Sequence, residues 1–474
     1  MGPLEQDFDV LVVGNETEGC LTAVAAARAG ARVALLVSPE AMLGGLLTED
    51  GLAFVDRDAR HLTPPEQSPH DGIFGQFLAR AKVPLVALPA DVGAATLQEM
   101  LTEAGVTLLR CDWQGVRMDG DRLAALHTTE GELTARAFID ATPDADLAEA
   151  SGMPFSDGFT DYGLTKRLGI SPLPVVHGVS PDTIMATCEA LAQDPSLETL
   201  RQQVFGDRHF LDLEQGDDYL LIGPPHLGLA YQRWREAEGL QEGPYRFEAD
   251  GFNTAIVGPQ ATSWNGLIYF SEDGDELLRL SREGANDFFR EEARRFERFL
   301  QTRLGWREAR VELPRGVYVR QTRHARDVRQ RLSLQALATG DAHRRVGTFC
   351  YYPDFRGFRA VSVPGALAAH VVLEAGLASR VKNLGLACRA AGYTPFAHSV
   401  CRLVQYNVTL GAALGVAAAL MPGDDLGAVD SAEIRAELAR HGFLADDSSG
   451  FERNAAIAEA MTRDPVLMLE LAHA

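Results

Sequence analysis

The stretch Val10-Leu11-Val12-Val13-Gly14-Asn15-Glu16-Thr17-Glu18-Gly19-Cys20 decides the fold. Four apolar residues run into a glycine, and a second glycine follows. A small-residue run, Leu21 to Gly30, and a second apolar run, Val33 to Val37, come next. The spacing predicts strand, tight turn, helix, strand: the first half of a dinucleotide-binding unit, whose turn and helix N-terminus receive a pyrophosphate. The middle glycine of G-x-G-x-x-G is replaced by Glu16. A carboxylate facing a phosphate charge at about 5 Å costs about 3 kcal/mol at an effective dielectric of about 20, which is about a hundredfold in affinity. Glu16 and Glu18 also lie at a helix N-terminus, where an anion is favoured and where they can stand in for the phosphate.

Two further positions depart from a working phosphate loop. The acid that holds the ribose at the end of the second strand falls at Ser38, whose neutral hydrogen bond is worth about 1 kcal/mol against about 1.5–3 for a charged one. Glu40 is the nearest substitute. A later apolar strand, Ala137 to Thr142, runs into Pro143-Asp144-Ala145-Asp146-Leu147-Ala148.

That last segment carries a resemblance. I-D-A-T-G-D-G-D-L-A, with an earlier L-G-G-M and a late N-L-x-x-A-G-R, is the pattern of a large family of FAD-dependent oxidoreductases with the glutathione reductase and succinate dehydrogenase type of flavin fold. Phe8 to Thr48 match its first βαβ unit and L-G-G segment. Ala137 to Gly152 match its second nucleotide strand, with Pro143 and Ala145 for two glycines. Val319-Arg320-Gln321-Thr322-Arg323 resembles its R-E-T-R-R block. Asn383 to Arg389 match N-L-L-V-A-G-R with Cys388 for the glycine, and His398-Ser399, Arg402, Gly411 and Gly415 match its last segment.

The resemblance implies an α/β fold: a Rossmann-like FAD-binding domain assembled from both chain ends, with an inserted α+β cap or substrate domain. The expected spans are 1–152 and 341–425 for the FAD domain, 153–340 for the insertion, and 426–474 for a helical tail. The insertion has weak periodicity and a long helix from about Asp275 to Leu304. Shorter elements are a helix over 92–104, strands at Val106–Arg110, Gly115–Met118 and Leu123–Thr128 with a turn at Asp119-Gly120-Asp121, and a small-residue helix at Val408–Leu420. The polar stretch His61 to Asp71 reads as a surface excursion.

The resemblance also implies FAD as cofactor. Gly14, Glu16, Gly19, Ser38, Thr142, Asp144 and Arg389 fall at the nucleotide. Gly44, Gly45 and Leu46 fall on one side of the flavin ring, and Thr409, Leu410 and Gly411 on the other, at the N-terminus of the last helix. No second dinucleotide loop for a nicotinamide cofactor is present in the middle segment. Between Arg315 and Arg359 lie Arg315, Arg320, Arg323, Arg326, Arg329, Arg331, Arg344, Arg345, Arg356 and Arg359, against Asp327, Asp341 and Asp354. These arginines either pair with acids elsewhere or form an anion site, with Arg320 or Arg323 as anchor. His398 is the candidate acid or base, with Tyr393 and Arg402 as companions.

A net charge of −22 argues against nucleic acid and anionic membranes as partners. The lysines are Lys82, Lys166 and Lys382, so positive charge is nearly all arginine. Cys20, Cys111, Cys188, Cys350, Cys388 and Cys401 contain no C-x-x-C pair, which argues against a zinc site or a redox dithiol. The first residues carry no basic and apolar leader pattern, and Leu410–Met421 is too short to span a bilayer. The sequence therefore predicts a cytoplasmic protein acting on a small-molecule substrate, with no metal; oligomeric state is not encoded legibly. Two readings stay open. One is an FAD-dependent oxidoreductase moving a hydride between flavin and a small, anionic substrate. The other is a degenerate flavin fold that binds no FAD and serves as a scaffold.

Overall fold

The computed structural model describes residues 6–56, 72–205, 213–224, 226–240, 243–339, 344–356, 365–464 and 466–469. The expected excursion at His61–Asp71, Asp341, Arg359, the boundary at 340/341 and the end of the tail lie outside them.

The first elements are β1 (Gln6–Val13), α1 (Thr17–Arg28), β2 (Val33–Val37), α2 (Gly72–Arg80), α3 (Ala90–Ala104), β3 (Thr107–Arg110), β4 (Trp113–Asp119), β5 (Arg122–Thr128), β6 (Gly131–Asp140) and α4 (Asp146–Ala150). They form a sheet in the order β3-β2-β1-β6-β5-β4, and the strand Leu384–Leu386 also pairs with β6. β3, β2, β1, β6 and Leu384–Leu386 run parallel. Val10–Val13 and all of β2 are buried, as expected for strands covered on both faces. Register brings Val13 opposite Leu36 and Asp140, and Asp140 opposite Leu386. The C-terminal ends of strands from both halves of the chain therefore share one edge.

The helix Val404–Leu420 packs on α1 through small residues: side chains at Gly411 and Gly415 would run into Thr22. The expected single helix Asp275–Leu304 is two helices, Gly274–Glu283 and Asp287–Thr302. The break is at Gly284, with φ +83 and its Cα against the Arg315 carbonyl, and Asn286 caps the second helix by accepting the Phe289 N–H. The insertion carries its own six-stranded sheet and an apolar core drawn from Ile170 to Val319. Asp218 ties it to the first domain: one carboxylate oxygen accepts the N–H groups of Leu85, Val86 and Ala87, each at 2.9 Å.

Two turns show how the fold tolerates lost glycines. Asp140 is fully buried and accepts from the Thr142 N–H, the Thr142 hydroxyl and the Ala148 N–H, so one carboxylate shapes the turn and caps α4. Within that turn Ala145 sits at φ +58, a left-handed conformation that glycine adopts freely. Gly14, at φ +122, could not be replaced in the same way, because a Cβ would enter the Ala141 carbonyl.

Ala145→Gly should raise stability by about 0.5–1 kcal/mol, since the left-handed penalty of about 1–2 kcal/mol exceeds the entropy lost by glycine. Asp218→Ala should lower it by about 3 kcal/mol by leaving three backbone donors unpaired. Thermal and urea melts of both variants check these signs.

Candidate active site

A cavity of about 260 Å³ opens at the shared C-terminal edge of β1, β2 and β6. In an open parallel sheet this is where ligands bind. Gly14, Glu16, Ser38, Gly45, Thr142, Asp144 and Arg389 all line it. Trp113 lines it as well, and the insertion contributes Ser281, Arg282 and Arg315 at its mouth. Sequence reading named Arg315 within the arginine block but missed the other three: Trp113 follows β3 without a motif, and Ser281 and Arg282 come from a domain with no pattern of its own.

Glycine-loop geometry survives around Glu16. Gly19 packs against Gly14 and Ala141, where a side chain would not fit. The Gly44 N–H donates to the Asn15 carbonyl at 2.7 Å, and the Thr17 hydroxyl donates to the Gly44 carbonyl. This binds the phosphate-type loop to the Gly44-Gly45-Leu46 turn. The Glu16 carboxyl lies in that junction, accepting the Leu46 N–H at 2.9 Å and occupying the space a Gly45 side chain would need. Leu46 thus meets the loop through its backbone.

The lining is rich in acids: Glu16, Glu49, Asp50, Asp144, Asp146 and Glu283, against Arg282, Arg315 and Arg389. Burial, then Glu18 and Asp50, push the Glu16 carboxyl well above its usual range. Burial pushes Glu18 and Asp50 up to about 7. Burial acts on Asp144 in the same direction, but Arg389, Ser281 and Thr322 outweigh it and hold the carboxyl low. Arg389 reaches Asp144 at 3.1 Å and the Ser281 hydroxyl at 2.6 Å, and its Nε has no partner.

These residues fit the nucleotide half of FAD. No side chain caps α1 at its start, and Arg389 lines the cavity across from the loop. Glu16 is the feature that opposes an anion.

The expected catalytic and anchoring residues lie elsewhere. His398 is fully buried between two backbone carbonyls, those of Arg389 (3.1 Å) and Arg320 (2.8 Å). Burial lowers its pKa to about 3. A neutral ring has a single N–H, so it donates to one of these carbonyls at a time; His398 does not line the cavity. The buried Tyr393 hydroxyl donates to Asn407 at 2.9 Å. Arg323 is held by the Asp144 carbonyl, Asp146 and Glu149, and so braces α4 instead of anchoring a substrate. Thr409, Leu410 and Gly411 are inside the helix, which starts at Val404, so they are not at its N-terminus. The misplacement follows from four residues of helix that the sequence pattern did not show.

Arg320 and Arg402 do meet, at Tyr318. Both guanidiniums lie over its ring, at 4.4 and 5.8 Å from the centroid. Arg402 bonds the Tyr318 hydroxyl and, at 2.5 Å, Asp354. Arg320 reaches only neutral acceptors in its hydrogen bonds: Gly169 O, Ser171 and Asn265. Burial, with Arg356 and Arg402 nearby, lowers its pKa to about 10. Beside this cluster is a second cavity, of about 20 Å³, lined by Leu47, Asp56, Tyr318, Leu403 and Gln405 among others. Among the described residues no group of histidines, cysteines and acids could hold a metal ion, and no helix is long and apolar enough to cross a membrane.

In solved structures the chain resembles the flavin-dependent brominase Bmp2 at 11% identity, covering 98% of this chain and 93% of that one with a TM-score of 0.41. It resembles the anhydrotetracycline hydroxylase OxyS from Streptomyces rimosus at 13% identity, covering 99% and 73%, with a TM-score of 0.39. A thioredoxin reductase from Gloeobacter violaceus matches at 21% identity over 30% of this chain, which spans 38% of that enzyme, with a TM-score of 0.21. The family model described as FAD dependent oxidoreductase matches residues 9–438. The chain belongs to this family of FAD-dependent oxidoreductases and is a flavin enzyme with FAD as its cofactor.

Proposed function

We propose that the substrate is a small carboxylate-bearing molecule that exchanges a hydride with the flavin beside the Tyr318 cluster. The observation that carries this reading is Arg320: a buried guanidinium whose own hydrogen bonds go to neutral acceptors, next to two more arginines. Arg356 has Asp250 at 3.3 Å and Arg402 has Asp354. Asp56, the remaining acid, is pushed up by burial and is bonded by the Tyr351 hydroxyl at 2.8 Å. Arg320, whose hydrogen bonds go to no acid, is the cation left for an incoming carboxylate.

The nucleotide half of FAD is assigned to the larger cavity, with its pyrophosphate at Gly14 and the start of α1, its ribose at Ser38 and Arg389 across from the loop. The flavin ring is assigned to the side of the smaller cavity, between Leu47 and the start of the last helix. That cavity holds about one water, so Leu47 and the helix start at 403–405 would have to part to admit the ring. FAD, when bound, supplies a centre that accepts or gives a hydride. Arg402 and Arg320 orient the substrate carboxylate. Asp56 takes the place expected for His398: in the oxidising direction its carboxylate accepts the proton released from the substrate hydroxyl or amine as the hydride leaves carbon, and the reverse reaction returns it. The insertion closes over the mouth through Arg315, paired with Glu49 at 2.8 Å.

In anaerobic mixing, small 2-hydroxy or 2-amino acids should bleach the flavin absorbance, and their amides should not. Arg402→Lys should raise KM about tenfold or more with FAD content unchanged. Asp56→Asn should lower kcat by about a hundredfold, with little change in KM and loss of one limb of the kcat pH profile. Equal reduction by acid and amide would rule out a carboxylate anchor.

A further inference from the structure

We propose that Glu16 borders the pyrophosphate seat and that, where its carboxyl is ionised in the free protein, FAD binds with uptake of one proton by it. This rests on the flavin-enzyme reading of the same cavity.

The backbone gives the first argument. Glu16 has φ −58 and ψ 156, an ordinary extended conformation. Nothing in the path of the chain demands glycine here, so the residue governs only what occupies the space above the loop. The side chain does not cap its own helix. It crosses to the opposite turn, takes the Leu46 N–H and fills the hollow over Gly45. A carboxylate there uses a backbone donor and a glycine hollow, the features that suit a close-lying anion.

The surrounding charge gives the second argument. Glu18 approaches from α1, with a buried carboxylate oxygen that has no partner. Asp50 and Glu49 face the site from the segment after the Gly44–Leu46 turn, and Asp144 from the turn after β6. The Cys20 thiol lies behind, held neutral by burial. Arg389 is the nearby cation, already shared with Asp144 and Ser281. At the mouth, Arg315 is paired with Glu49, and Arg282 with Asp146 and Glu149. An ionised Glu16 facing a phosphate would weaken binding about a hundredfold. Adding a proton removes that charge without moving the chain, and the neutral acid can donate to a phosphate oxygen where the anion repels it.

The sign follows from linkage. A ligand that raises the pKa of a group takes up a proton on binding. Its affinity falls as pH climbs above the pKa of that group in the free protein, by up to about tenfold per pH unit. The test is FAD titration of the purified protein, stripped of cofactor, by flavin fluorescence from about pH 6 to about pH 9. Calorimetry in two buffers of different ionisation enthalpy counts the protons. Wild type should take up close to one proton at the alkaline end, fewer at the acid end where Glu16 is already neutral, and lose affinity with rising pH. Glu16→Gln, and Glu16→Gly as a second variant, should flatten the slope and bind at least about tenfold tighter at the alkaline end. Glu18→Gln and Asp50→Asn should keep the slope. A flat wild-type profile, or a slope that survives in both Glu16 variants, overturns the proposal while leaving the flavin reading intact. Absence of FAD binding in wild type and both Glu16 variants at every pH overturns the flavin reading itself.

Discussion

Two ends of the chain meet on one strand, and a single side-chain amide fixes the meeting. Asn383 is fully buried; its carbonyl oxygen accepts the Leu123 N–H, and its NH2 donates to the carbonyls of Leu123 and Arg136. Its backbone carbonyl accepts the Phe138 N–H, and Leu384–Leu386 then continues along β6 in parallel. Register has no slack here, because a slip of one residue would turn buried Leu384 and Leu386 to the other face. From that pairing follow the position of Arg389 beside Asp144, the approach of the last helix to α1, and the cavity between them. Removing the amide would leave several buried backbone groups unsatisfied at once.

The elements legible in the sequence are those whose periodicity is set locally. Val10–Val13 and β2 read as buried strands because both faces are covered, and the Asp119–Asp121 turn reads correctly because Gly120 adopts φ +61 between two alternating runs. That Gly14, Ser38, Thr142, Asp144 and Arg389 share one cavity follows from motif order, since each sits just beyond a strand end. The break at Gly284 was hidden because charged, amphipathic sequence continues through it. The start of the last helix was hidden because Val404 to Asn407 carry no capping signal, and no side chain caps that end.

The arginine block shows why a local charge count misleads. Read along the chain, ten arginines face three aspartates. In space most find acids from distant segments: Arg331 meets Asp161, Arg329 meets Asp425, Arg344 meets Glu374, and Arg323 meets Asp146 and Glu149. Several of these pairs are exposed and contribute little to stability. Arg356 and Arg402 also find acids, Asp250 and Asp354, and what remains after pairing is Arg320 beside them. His398 misleads in a similar way. A histidine beside apolar residues suggested proton transfer, but the ring is packed between two backbone carbonyls, one of which its single N–H can bond at a time, and burial lowers its pKa to about 3.

The lost glycines of the phosphate-binding segments differ in physical kind. At Ala145 the fold retains the left-handed backbone and tolerates a methyl group that disfavours it. At Glu16 the backbone is extended and unstrained, and the change is entirely in side-chain volume and charge. Gly14, whose replacement would collide with the Ala141 carbonyl, is kept. The loop therefore departs from a glycine-rich phosphate loop in electrostatics more than in shape. A shape defect would require the chain to refold around a ligand. A charge defect is removed by a proton, and the acids around Glu16 lie where burial already favours their neutral forms. Sequence comparison alone scores both kinds of change as the same loss of motif, whereas the structure separates a left-handed backbone kept at Ala145 from a change of side chain alone at Glu16.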